Sequence, residues 1–219
     1  MQNVFSICTR FPGKREKPMN KQNSTIMKLA ETALLAALCY VSFTFLQIKI
    51  PGGDATSLHI GNTFCVLGAL LLGGWYGGLA GSIGMTIADL MDPVYITGAP
   101  KTFVLKLCIG LITGLVAHKI AKINETNDKK YVFKWSLIAS IAGLAFNVIA
   151  DPIVGYFYKQ YILGQPQEVA SILAKLSAGA TFVNAIVSTI LVVIIYNAVR
   201  PALIKANLIH VYVTAANAK

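Results

Sequence analysis

The sequence predicts an all-α integral membrane protein: six transmembrane helices in one bundle, with both termini cytoplasmic. Three observations carry this reading. A chain of 219 residues that is 55% hydrophobic, only 13% charged and of mean hydropathy +0.63 has too few polar side chains to coat a soluble globule of its size. Apolar stretches long enough to cross a bilayer recur along it, separated by Pro/Gly-rich or charged breaks. The basic residues also segregate. With six spans, the leader through Lys28 carries six Lys/Arg, residues 119–134 carry five and the tail from Arg200 carries three, so 14 of 19 fall on one side. Lys49, Lys101, Lys106, Lys159 and Lys175 remain on the other. An excess of Lys/Arg marks cytoplasmic loops. The net charge of +10 therefore reports topology, since it forms no basic stripe with interleaved aromatics that would bind nucleic acid.

Residues 1–27, with Arg10, Lys14, Arg15, Lys17 and Lys21 among Pro12, Gly13 and Pro18, lack apolar periodicity and read as a disordered basic cytoplasmic leader. Met19 and Met27 are alternative starts. A cleaved signal peptide is the rival reading of a basic stretch before an apolar one. Leu29 to Ile50 is too long for a signal core, however, and Gln47 to Pro51 offers no small-residue cleavage site. This stretch is the first transmembrane helix, ended by Pro51-Gly52-Gly53; the membrane domain it opens extends over residues 28–200.

The centre of the chain is a helical hairpin between His59 and Asp92, whose stretch from Thr63 to Ile87 has no charged side chain. The glycine cluster Gly73, Gly74, Gly77 and Gly78 interrupts it. Two helices of about 16 residues, roughly 24 Å each, fit this length, which is short for a hydrocarbon core of about 30 Å. Gly77 and Gly81, Ala80 and Gly84, and Gly84 and Ala88 are small-xxx-small pairs that admit a neighbouring backbone. The third helix is thus a packing helix.

Pro100 sits at the first turn of a fourth helix over Lys101 to Ile120, with Gly110 and Gly114 on one face. Lys119 to Lys134 is a hydrophilic connection. A fifth helix covers Tyr131 to Ala150, where Asp151-Pro152 is expected to bend or interrupt it. Tyr156, Tyr158 and Tyr161 continue as an interfacial stretch, Gly164 to Glu168 forms a turn, and residues 169–176 form a short surface helix. The sixth span covers Ala178 to Ala198, stopped by Arg200-Pro201, and residues 201–219 are a cytoplasmic tail.

This orientation assigns depth to the polar residues. Asn62, Asp89, Lys106, Asn147 and Asn184 all lie within a turn or two of the outer ends of helices two to six. An amide or ionisable group inside a span is costly and faces the bundle interior or a water-filled cavity. One such residue is readily explained as helix glue, and Asp151 as a cap, but five at one depth predict an outward-open pocket. Asp89 is expected to pair with Lys106 there. Tyr95, Phe103, Phe146 and Tyr156 are close enough in sequence to supply aromatic walls. No phosphate loop, His-x-x-x-His pair or Ser-centred elbow is present, and His59, His118 and His210 are too scattered for a metal site. Cys39, Cys65 and Cys108 fall in apolar spans as small hydrophobes.

His59-Ile-Gly-Asn62, the glycine-rich Leu71 to Gly84, Ala88-Asp89-Leu90, and Ala99-Pro-Lys-Thr-Phe with Lys106 together resemble the substrate-binding S components of energy-coupling factor (ECF) vitamin transporters, closest to the riboflavin branch. The resemblance spans about residues 28–200. It departs at Asn62, where many relatives are expected to carry Asp, which alters the charge of the pocket. It implies six helices in a bacterial-type plasma membrane, no enzymatic activity and no cofactor of the chain's own. It also implies a vitamin site near the outer surface, to which His59, Asn62, Asp89, Lys106, Asn147, Asp151, Tyr156 and Asn184 are assigned. The implied partners are an ECF transmembrane coupling subunit and two cytosolic ATPases that use the ATP; Ala33 and Ala37 match the Ala-xxx-Ala pair that contacts the coupling subunit. Two other classes stand beside it. A self-contained secondary transporter requires an ion route or inverted repeats, and a membrane enzyme requires a site such as Mg²⁺ held by Asp89, Asp92 and Asp151.

Overall fold

The computed structural model describes residues 21–50 and 57–206. Most of the leader, the Pro51-Gly52-Gly53 break and the tail beyond Ala206 lie outside the described residues. Six α-helices appear in the described residues: α1 (Lys21–Phe45), α2 (Gly61–Leu72), α3 (Gly74–Met91), α4 (Ala99–Gly114), α5 (Lys129–Phe157) and α6 (Gln167–Lys205). The last turns after α4 and α5 widen to π-helical geometry over Leu115–Ile120 and Tyr158–Ile162. Among the described residues, four segments are long and apolar enough to cross a membrane: Thr25–Phe45, Ile96–Glu125, Lys129–Ile162 and Gln167–Lys205.

The central hairpin is asymmetric. With 12 residues, α2 is only about 18 Å long, whereas the 18 residues of α3 reach about 27 Å. The short helix survives because its neighbours cover it: nine of its residues, from Gly61 to Leu70, are buried. The two helices turn at Gly73, whose φ of 98° is open to glycine and strained for other residues. Glycine also sets the distance between α3 and α4. A Cβ at Gly78 would stand 2.8 Å from the Leu107 carbonyl oxygen, and one at Gly110 would collide with the Gly78 backbone. The Gly110 and Gly114 face expected on the fourth helix therefore meets Gly74 and Gly78, whereas Gly77, Gly81 and Gly84, the small face expected on the third, pack on α2 at Ala69 and Cys65 and on α1 at Ala36.

Inside, Leu35, Cys39, Val66, Leu70, Met85, Ile109, Leu144, Val192 and Tyr196 form one continuous core. Outside, Trp75, Val104, Leu115, Ile149, Ile190 and Ile194 are exposed. An apolar exterior around a packed core is the distribution a bilayer requires, because lipid rather than water faces these side chains.

Boundaries of the first, fifth and sixth helices differ from the sequence reading. α1 starts at Lys21 and ends at Phe45, because Ile48–Lys49 (β1) pairs antiparallel with Ser57–Leu58 (β2), Ile48 opposite Leu58. The fifth helix does not break at Asp151-Pro152; it runs on to Phe157 with Pro152 inside it. The expected surface helix and sixth span are one 39-residue helix, and Arg200-Pro201 does not stop it. In the fifth and sixth helices a local breaker is outweighed by bundle packing, since helix formation in lipid satisfies every other backbone group of the segment.

Candidate functional site

The α2 N-terminus, the α3 C-terminus, the α4 N-terminus, the α5 C-terminus and the first half of α6 meet at the end of the bundle opposite the Lys119 to Lys134 connection. There they enclose a cleft of about 750 Å³, its open mouth included. Ser57 and His59 reach it from the link before α2, Asp89 from α3 and Tyr95 from the α3–α4 link. Lys101, Thr102 and Lys106 come from α4, Asp151 from α5, and Ser177, Thr181 and Asn184 from α6. Thr102 and Lys106 are four residues apart, one above the other on the same helix face.

The charges on this wall are of two kinds. Lys101 Nζ donates to Asp151 Oδ1 at 3.0 Å, and the Ser177 hydroxyl donates to Asp151 Oδ2. That cluster ties α4, α5 and α6 together with its charges matched. Lys106 and Asp89 are different. They are 7% and 3% exposed, yet the expected ion pair between them is absent, and no ion pair to either occurs among the described residues. Asp89 has a hydrogen bond from Thr102. Lys106 Nζ has none among the described residues.

Asn184 holds the entrance instead of projecting into it. Its Oδ1 accepts the His59 backbone N–H at 3.0 Å and its Nδ2 donates to the Ser57 carbonyl at 3.0 Å, so both ends of the amide fix the segment that leads into α2. His59 Nδ1 accepts the Gly61 N–H at 3.2 Å, which leaves the ring proton on Nε2. Burial, with Lys106 nearby, pushes the imidazole pKa down to about 3 and keeps it neutral. The ring meets Phe43 edge-on at 4.6 Å, and Phe43 meets Tyr95 at 5.8 Å. At the rim, Lys49 donates to Asp92 at 2.5 Å and lies 5.3 Å from the Tyr95 ring centroid. That hydrogen bond raises the Lys49 pKa and lowers that of Asp92.

Of the residues assigned from sequence, His59, Asp89, Lys106, Asp151 and Asn184 converge on the cleft, while Asn62, Asn147 and Tyr156 do not line it. Asn62 and Asn147 are each 1% exposed, and their Oδ1 atoms lack a partner among the described residues. Tyr156 packs edge-on against Phe157 at 5.3 Å. Phe103 and Phe146 are also off the wall, and Tyr158, whose hydroxyl donates to the Thr97 carbonyl at 2.8 Å, stands there instead. Lys101, Thr102, Ser177 and Thr181 are contributors that sequence reasoning missed. Lys101 and Asp151 carried a usable signal: opposite charges at the same outer depth on neighbouring helices. The Asp89, Asp92 and Asp151 carboxylates do not gather: Asp92 is held by Lys49 and Asp151 by Lys101 and Ser177.

A multi-pass helical bundle with a charged, aromatic-walled cleft at one end defines a class, the membrane proteins that hold a small solute. The family is specific: residues 23–201 match the ECF-type riboflavin transporter S component family, and the chain belongs to it. It is a family of transport components, not of enzymes. A solved structure of ThiT from Listeria monocytogenes superimposes with a TM-score of 0.60 at 20% identity, covering 83% of this chain and 98% of that one, a likeness of fold. A search of curated proteins found no match.

Proposed function

We propose that this S component takes up a small heteroaromatic B vitamin or vitamin precursor from outside the cell. Pyridoxine-like and hydroxymethylpyrimidine-like compounds fit the reading best, with riboflavin the larger alternative. The observation that carries it is the cleft itself: buried, unpaired Lys106 and Asp89 beside the aromatic faces of Phe43, Tyr95 and Tyr158. Aromatic edges and faces suit a flat ring, and the polar groups suit its heteroatoms. We assign to the site also Asn62 and Asn147, whose buried Oδ1 acceptors lack a partner among the described residues, and Tyr156. The cleft faces outward, because the basic connections cluster at the other end.

Release inward requires an ECF coupling subunit and two cytosolic ATPases, and α1 supplies the docking face. Ala33 and Ala37 are exposed next to Leu34 and Leu38, whereas Leu35 and Cys39 point into the core. Small side chains there admit a partner helix at close range. Replacing both alanines with Leu is expected to impair ATP-dependent uptake at least several-fold while leaving ligand affinity nearly unchanged; loss of affinity instead would mean that this face packs within the bundle. Mass spectrometry of small molecules released from the purified protein tests the function directly. A recovered heteroaromatic vitamin supports it, and a non-aromatic solute overturns it.

A further inference from the structure

Resting on the reading above, we infer that the ligand bridges Lys106 and Asp89 through one ring edge that carries a hydrogen-bond donor beside an acceptor, as in a lactam, a cyclic urea or an aminopyrimidine.

Two buried charges of the cleft, Lys106 and Asp89, have no ion pair among the described residues. Asp151 is ion-paired by Lys101 with help from Ser177, and Asp92 by Lys49; Asp151 is also the foremost opposite charge acting on Lys106, but no ion pair joins the two. Asn184 has used its amide on backbone, and neutral His59 has used Nδ1 on Gly61. Lys106 and Asp89 are buried in the same wall and more than 4.0 Å apart, since no ion pair joins them. A hydrated cleft tolerates this, because water solvates both groups. A ligand that expels the water removes that solvation, and a buried charge without a partner is strongly unfavourable.

The ligand must then replace water at both groups. An anion would satisfy Lys106 but strand the Asp89 carboxylate next to a like charge. A cation would satisfy Asp89 and strand the lysine. A ring edge with a donor and an acceptor side by side satisfies both, with the acceptor toward Lys106 Nζ and an N–H toward a carboxylate oxygen of Asp89. Thr102, bonded to Asp89 and one turn from Lys106 on α4, keeps the carboxylate oriented toward that edge.

The test uses matched ligands on the wild-type protein, so that it does not depend on a variant folding. Calorimetry at pH 7 compares riboflavin with 3-methylriboflavin, and 4-amino-5-hydroxymethyl-2-methylpyrimidine with its 4-dimethylamino analogue; nicotinate is the purely anionic ring. In whichever pair binds, the N–H member is expected to bind about 10-fold tighter or more, the scale of one hydrogen bond to a charged group. Asp89→Asn should reduce that preference to within about 3-fold, whereas Lys106→Met should weaken both members and keep it, as a lost acceptor contact predicts. Equal binding within the pair, a tighter nicotinate complex, or a preference that survives Asp89→Asn overturns the bridge and leaves vitamin binding standing. If none of these rings binds, the bridge and the proposed function fall together.

Discussion

Two buried cations occupy opposite ends of the bundle, and they are treated differently. Arg200, 6% exposed near the end of α6, donates from Nη2 to the carbonyls of Ile123 at 2.9 Å and Thr126 at 3.0 Å. Its Nε and the nearby Tyr196 hydroxyl make no hydrogen bond among the described residues, so the two carbonyls carry the anchoring. Lys106, 7% exposed at the cleft, has no hydrogen bond or ion pair from its ammonium group among the described residues. A planar guanidinium that collects loop carbonyls fastens the α4–α5 connection to α6. A flexible ammonium left without partners faces the space where a ligand enters. Burial alone does not distinguish a structural charge from a functional one. Satisfaction does.

Removing each cation in turn separates the two roles. Arg200→Ala orphans two loop carbonyls and unfastens the connection, so it should lower the stability of the detergent-solubilised protein by about 3 kcal/mol. Thermal unfolding would show this as a clear fall in Tm. The affinity for the recovered ligand should stay within about 3-fold, the cleft being at the far end.

Lys106→Met should do the opposite. The apolar stem is kept and a buried charge is removed, so Tm should hold or rise. Affinity should fall about 5- to 150-fold, equivalent to about 1–3 kcal/mol for a ligand group that loses its donor. Calorimetry on the folded variant decides between the two roles. A destabilised Lys106→Met with unchanged affinity would make Lys106 a second Arg200.

The contrast was only half legible in the sequence. Depth is legible: composition and basic-residue bias put Asn62, Asp89, Lys106, Asn147 and Asn184 in one outer layer, and of these Asp89, Lys106 and Asn184 line the cleft. Direction is not. Asn62, Asn147 and Tyr156 do not line the cleft, and depth alone gives no signal of that, because on a helix two residues, as between Tyr156 and Tyr158, turn a side chain by about 200°. Asn184 lies at the cleft, but depth did not reveal that its amide is committed to the Ser57 and His59 backbone. The expected Asp89–Lys106 pair was a proximity argument; in the structure Lys101, one turn nearer the end of α4, takes Asp151. The helix order and the glycine seam were readable because apolar length and small-residue spacing are properties of a single segment. The two-residue β1–β2 ladder has no such periodicity to reveal it, and Pro152 and Pro201 were read by local propensity that the bundle overrides.

The smallest expected effect concerns His59, a buried group that is satisfied by staying neutral rather than by being paired. Its folded-state pKa, about 3, lies below the ordinary value of 6.5, so as pH falls below 6.5 the unfolded chain takes up the proton first. The stability it contributes is therefore complete above pH 6.5 and is lost progressively as pH falls from 6.5 toward 3. The slope reaches about 1.4 kcal/mol per pH unit, so roughly that amount should be lost by pH 5.5. Other carboxylates titrate in the lower part of this window, so the measurement is a difference: Tm against pH for the wild type and for His59→Gln, whose amide can still accept the Gly61 N–H. The variant should lose less stability between pH 7.5 and 5.5 than the wild type. Parallel curves would mean that His59 is protonated equally in the folded and unfolded chains, and that water rather than Phe43 and α2 surrounds its ring.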